Sequence, residues 1–123
     1  MKALIVDDSR AMRMLLARIL REIGFEVVEA GHGREALERL KAEARPDVVL
    51  VDWNMPEMDG LTFVQTVRTE RVYDGVRIMM VTTETEPTNV TTALEAGANE
   101  YLMKPFTKEA VREKLELLGV GLG

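Results

Sequence analysis

The chain has 123 residues, enough for one hydrophobic core and one domain, and its formal net charge of -5 at pH 7 argues against a nucleic-acid surface. The absence of cysteine excludes disulfides and thiolate-bound metals. No apolar stretch approaches the ~20 residues of a membrane helix, and the run from Ala3 to Val6 is cut by two aspartates and makes no signal peptide, so the expected home is the cytoplasm.

Short apolar runs alternate with longer segments of helical period, the pattern of βαβ units around a parallel sheet. The first run, Ala3–Val6, stops at Asp7-Asp8. Ser9 then offers an N-cap to a helix whose stripe is Met12, Leu15, Leu16, Ile19, Leu20 and Ile23, and Gly24 stands just past its end. A second strand is read at Glu26–Glu29. The following helix carries Ala36, Leu37, Leu40 and Ala44, and Pro46 prevents its continuation.

The third run, Val48–Val51, is apolar throughout, as a strand covered on both faces should be, and leads into Asp52. A third helix starts near Asp59 and is expected to bury Leu61, Phe63, Val64 and Val67. The fourth strand, Arg77–Val81, ends at Thr82. The fourth helix has Pro87 near its first turn, then Val90, Ala93 and Leu94 before Gly97. The fifth strand, Glu100–Met103, ends at Lys104, and a last helix from about Thr107 presents Val111, Leu115 and Leu118. The tail from Gly119 to Gly123 reads as a frayed end. The expected organisation is one domain over 1–123, α/β and doubly wound, with no output domain.

In open parallel sheets, ligands bind beyond the carboxyl ends of the strands. Asp7, Asp8, Asp52, Thr82 and Lys104 all stand at such ends. Each taken singly has an ordinary structural use; an aspartate after a strand often caps the next helix. Taken together they place three carboxylates, a hydroxyl and an ammonium at one edge. Carboxylates so close must take up a proton or share a cation, and an all-oxygen ligand set favours a hard ion such as Mg²⁺. Asp8, Asp52 and a main-chain carbonyl just after Asp52 could hold it, with Asp7 holding a bound water. That collection suits transfer of a phosphoryl group onto Asp52, with Lys104 and Thr82 meeting the phosphoryl oxygens.

Four segments, Val6-Asp7-Asp8-Ser9, Asp52-Trp53-Asn54-Met55-Pro56-Glu57-Met58-Asp59-Gly60, Val81-Thr82-Thr83-Glu84 and Tyr101-Leu102-Met103-Lys104-Pro105-Phe106, resemble the receiver domain of two-component response regulators. The resemblance spans essentially the whole chain and is strongest to stand-alone, CheY-like chemotaxis regulators. It implies a flavodoxin-like (βα)5 fold of strand order 2-1-3-4-5. It implies Asp52 as phosphoacceptor, Asp7 and Asp8 as the acidic pair around Mg²⁺, and the Asn54 main-chain carbonyl as a further ligand. It gives Lys104 to the phosphoryl group, with a cis bond to Pro105. Thr82 and Tyr101 resemble a switch pair, Thr82 moving toward the phosphoryl group and Tyr101 turning inward. Asn54 and Glu84 fall where the family tunes the lifetime of the phosphate.

The implied partners are a histidine kinase or phosphotransfer protein and a downstream target on the surface of the fourth helix, fifth strand and fifth helix. Nucleic acid and membrane insertion are not expected, and the chain is expected to be a monomer and not an enzyme beyond its own phosphorylation and dephosphorylation. Thr83 departs from the small residue common in the family, and its β-branch is expected to crowd the path of Tyr101. Pro87 is expected to stiffen the start of the fourth helix. His32, in Gly31-His32-Gly33, reads as a loop residue; Met55, Met58 and Met103 read as rim of the site, and Trp53 as a fluorescent reporter beside the acceptor. Alternatives are a stand-alone phosphorelay intermediate, an inert interaction module, or a small phosphatase working through an aspartyl phosphate. Such phosphatases commonly place a second aspartate two residues after the nucleophile, where this chain has Asn54.

Overall fold

Continuous apolar runs become fully covered strands here because helices pack on both faces of the sheet. The computed structural model describes residues 1–42, 45–83 and 87–120. Strands β1 (Lys2–Val6), β2 (Glu26–Ala30), β3 (Val48–Asp52), β4 (Arg77–Thr82) and β5 (Glu100–Met103) alternate with helices α1 (Arg10–Ile23), α2 (Gly33–Ala42), α3 (Gly60–Arg68), α4 (Pro87–Ala96) and α5 (Lys108–Leu117). All strand pairs are parallel, in the order β2-β1-β3-β4-β5. The expected fold class and strand order are both present.

Alternation along each strand divides the core in two. Ala3, Ile5, Val48, Leu50, Met79, Val81 and Leu102 meet Leu16 and Leu20 of α1 and Val111 and Leu115 of α5. Leu4, Val6, Val49, Val51, Ile78 and Met80 meet Leu40 of α2, Phe63, Val64 and Val67 of α3, and Ala93 of α4. Fully burying a side chain of this size contributes about 1.5–3 kcal/mol before entropy is counted, so these two layers carry most of the stability.

Local signals set most helix ends. Ser9 caps α1, its hydroxyl accepting the Met12 N–H, and Gly24 (φ 122) ends it, its N–H reaching Leu20 and Arg21. Asp59 caps α3 and Thr107 caps α5 in the same way. His32 does more than fill a loop. Its Nδ1 accepts the Glu35 N–H at 3.2 Å, while Glu35 Oε1 accepts the Gly31 N–H at 2.5 Å, a reciprocal cap at the start of α2.

Several expectations need correction. Leu15 and Leu94 lie exposed, because each sits at the margin of its helix stripe, and Leu61 is only half-buried. The tail is not frayed at Val120, which is buried in the α1–α5 layer and donates its N–H to Leu115 O through a turn at Gly119 (φ 76). Met55 belongs to the core and not to the rim of the site. A short 3-10 helix, Arg71–Tyr73, follows α3 and had no signal in the sequence pattern. Ala44 and Glu84 lie outside the described residues.

Candidate metal and acceptor site

Parallel register brings the polar strand ends together. Val6 pairs with Val51, so the next residues, Asp7 and Asp52, are level across β1 and β3. Asp52 pairs with Val81, just before Thr82, and Thr82 pairs with Met103, just before Lys104. The carboxylates of Asp7, Asp8 and Asp52 offer ligand atoms that all lie within 4.8 Å of one another. Lys104 reaches in from the far side, its Nζ 3.0 Å from Asp52 Oδ1 and 3.6 Å from Asp7 Oδ2. The Lys104–Pro105 bond is cis, as the resemblance implied.

Asp7 and Asp52 are buried, and Asp8 is exposed. Ser9 caps α1, which leaves the neighbouring Asp8 carboxylate outside that role. Asp7 Oδ1 accepts the Ser9 N–H at 2.8 Å. Among the described residues, Asp7 Oδ2 is the buried side-chain oxygen left without a hydrogen bond. Burial raises the Asp52 pKa above its ordinary value; the hydrogen bond from Lys104 opposes this, and the charge of Asp7 adds to it.

These observations fit a divalent cation. Three carboxylates and one ammonium leave a formal excess of two negative charges, and a buried carboxylate oxygen faces the cluster with no donor of its own. Every side-chain ligand in the group is a hard oxygen.

Thr82 is buried at the end of β4, and its carbonyl accepts the Lys104 N–H at 2.8 Å. Asn54 is exposed just after β3, and Trp53 is half-buried, its N–H donating to Val81 O at 3.2 Å. Tyr101 is half-buried on β5, and Thr83 is exposed beyond β4. Met58 rests on α2: a Cβ at Gly33 would meet its sulfur at 2.8 Å.

Two supports escaped the sequence reading. Arg13, one turn into α1, donates from Nη1 to the Asp7 carbonyl at 2.6 Å and pairs through Nε with Glu29 at 3.5 Å, tying the acidic loop to β2. The available signal was an arginine four residues after an N-cap, on the side of the helix facing β2. Gly60 lies so close to β3 that a Cβ would collide with the Asp52 carbonyl oxygen and stand 2.8 Å from Met80 Cε. The Gly60 N–H donates to Trp53 O at 2.9 Å.

The chain belongs to the response regulator receiver domain family, whose description matches residues 3–116. Within that family it is a CheY-type receiver. It is 48% identical over 119 residues to "Chemotaxis protein CheY1" of Helicobacter pylori, covering 96% of each chain. It is also 48% identical over 125 residues to "Chemotaxis protein CheY homolog" of Campylobacter jejuni, covering 100% of this chain and 96% of the relative. The solved structure of CheY4 from Vibrio cholerae superposes with a TM-score of 0.90 at 40% identity, over 95% of this chain and 97% of that one.

Proposed function

We propose that the chain is a phosphorylation-dependent signalling switch that accepts a phosphoryl group on Asp52. The observation that carries this reading is Lys104 bridging Asp52 and Asp7 at the mouth of a converging acidic cluster. A carboxylate oxygen of Asp52 attacks phosphorus, the bond from phosphorus to the donor breaks, and the donor leaves with that electron pair. The donor is a phosphohistidine of a kinase or phosphotransfer protein, or a small acyl phosphate. Asp7, Asp8, Asp52 and the Asn54 main-chain carbonyl would hold Mg²⁺, which would supply positive charge against the phosphoryl oxygens.

Lys104 carries a further positive charge already in contact with the acceptor oxygen. Thr82 offers a hydroxyl from the neighbouring strand end, and Tyr101 responds as its switch partner. Asn54 and Glu84 tune the lifetime of the phosphate. The chain turns over no external substrate; the phosphatase alternative loses ground because Asn54 occupies the position where such enzymes commonly carry an acid.

The target binds the face of α4, β5 and α5, and the near full-length likeness to chemotaxis proteins supports a chemotaxis pathway. No helix of the described residues is long and apolar enough to cross a membrane. The test is labelling with acetyl phosphate and Mg²⁺: the parent chain incorporates phosphate and Asp52→Asn does not. Undiminished labelling of that variant overturns the acceptor assignment.

A further inference from the structure

Strand β5 is an edge of the sheet, and Tyr101 belongs to the face covered by α2, α3 and α4. Helix α5 packs on the opposite face through Val111 and Leu115. Yet Lys114, from α5, places its Nζ 4.6 Å from the centre of the Tyr101 ring. Its flexible stem therefore passes around the open edge of β5. The same Nζ lies 3.1 Å from Glu100 Oε1, and that oxygen accepts the Tyr101 main-chain N–H at 3.0 Å. One carboxylate thus anchors both the cation and the backbone of the residue whose ring the cation covers.

The contact depends on where the ring stands. An ammonium carried by α5 reaches a ring held at the sheet edge. A ring turned inward, toward Thr82 on β4, moves out of its reach. Attraction between the cation and the ring face then favours one orientation over the other, which is what biases a two-state element.

We propose that Lys114 and Glu100 are positioning residues, a clasp that holds Tyr101 at the edge of β5 and opposes its inward turn in the unphosphorylated chain. This rests on the switch role proposed above for Tyr101. A contact of this kind is worth about a two- to fivefold shift in population. Thr82 and Lys104 do not supply it, since it reaches the ring from the opposite layer of the fold.

The experiment uses the full chain labelled with 3-fluorotyrosine, with Tyr73→Phe leaving Tyr101 as the single fluorine reporter. The parent is titrated with beryllofluoride and Mg²⁺ and the fluorine resonance followed. Lys114→Met keeps the apolar stem and removes the cation. It should displace the starting resonance toward the beryllofluoride-saturated position and lower the titration midpoint about two- to fivefold. Lys114→Arg, which keeps a cation able to cover the ring, should behave as the parent, and Glu100→Gln should shift in the same direction as Lys114→Met. A purely structural Lys114 would lower the melting temperature without moving the resonance. If the parent responds to beryllofluoride while Lys114→Met starts and titrates as the parent does, the clasp is wrong and the switch reading stands. If the parent itself shows no response, the switch reading fails and the clasp with it.

Discussion

Asp52 Oδ1 lies 3.0 Å from Lys104 Nζ, yet the Asp52 carboxyl still titrates above its ordinary value of 3.8. Burial outweighs the hydrogen bond that opposes it. A carboxyl with a raised folded pKa binds its proton more tightly in the folded chain. Its contribution to stability is therefore neutral below the unfolded value and becomes a penalty as pH rises through the folded one. In metal-free buffer, Asp52→Asn should melt above the parent at neutral pH, with the difference shrinking as the pH falls toward 3.8. Added Mg²⁺ should narrow the gap by stabilising the parent, which keeps all three carboxylates, more than the variant. Thermal melts across pH with chelator, repeated with Mg²⁺, check both signs; an advantage for Asp52→Asn that grows on acidification would contradict them.

The loop after Asp52 holds two positions of opposite tolerance. Glu57 adopts φ 66, a left-handed conformation that costs an ordinary residue roughly 1–2 kcal/mol. Glu57→Asn should stabilise the chain by up to about 1 kcal/mol, because asparagine enters that region more easily. Gly60→Ala should do the reverse, costing about 1–3 kcal/mol, since its methyl would collide with the Asp52 carbonyl. It should also slow labelling, by displacing Asp52. Urea denaturation of the two variants, with acetyl phosphate labelling of the second, tests this pair.

The strands and the polar groups that gather at their ends were legible in the sequence for one reason. Apolar runs that each stop at Asp7, Asp52, Thr82 or Lys104 specify both the buried sheet and its polar edge. The cross-strand register then follows from parallel pairing. What stayed hidden depends on long side chains whose partners are remote in sequence. Arg13 looks like helix surface charge until its bond to the Asp7 carbonyl is seen. Lys114 belongs to a polar helix face and meets Tyr101 only because β5 is an edge. Val120 sits among glycines and gives no periodic signal, though it completes the layer between α1 and α5.

Arg68 is the least visible of these and the most costly to lose. At the end of α3, it donates to the carbonyls of Gly97 at 3.0 Å, Tyr73 at 2.7 Å and Val76 at 2.7 Å, and to Asn99 Oδ1 at 2.9 Å. Asn99 Oδ1 also receives the Ile78 N–H at 2.8 Å. One guanidinium thus joins the ends of α3 and α4 to the starts of β4 and β5. Partial burial lowers its pKa, but an arginine remains charged at any ordinary pH. Arg68→Ala should cost about 3–5 kcal/mol, since it strands several acceptors at once. Lysine cannot fork to them, so Arg68→Lys should recover only part of the loss. Equilibrium denaturation that ranks the two variants equally would show that charge, not geometry, is what this position supplies.

The cap on α2 gives the last test. His32 accepts the Glu35 N–H through Nδ1, the task that serine, threonine or aspartate usually performs. His32→Ala should lose about 0.5–2 kcal/mol by leaving that N–H without its acceptor. His32→Asp should equal or exceed the parent, because its carboxylate accepts the same N–H and also meets the positive end of the helix dipole. The gain should shrink in high salt, which screens the charge but leaves the hydrogen bond. Since Met58, from the loop after Asp52, rests on Gly33 beside this cap, loss of the cap should also loosen that loop. Amide hydrogen exchange from residues 55 to 60 should quicken in His32→Ala and stay at the parent rate in His32→Asp. Equal exchange in both variants would show that the cap steadies α2 alone and does not reach the loop after Asp52.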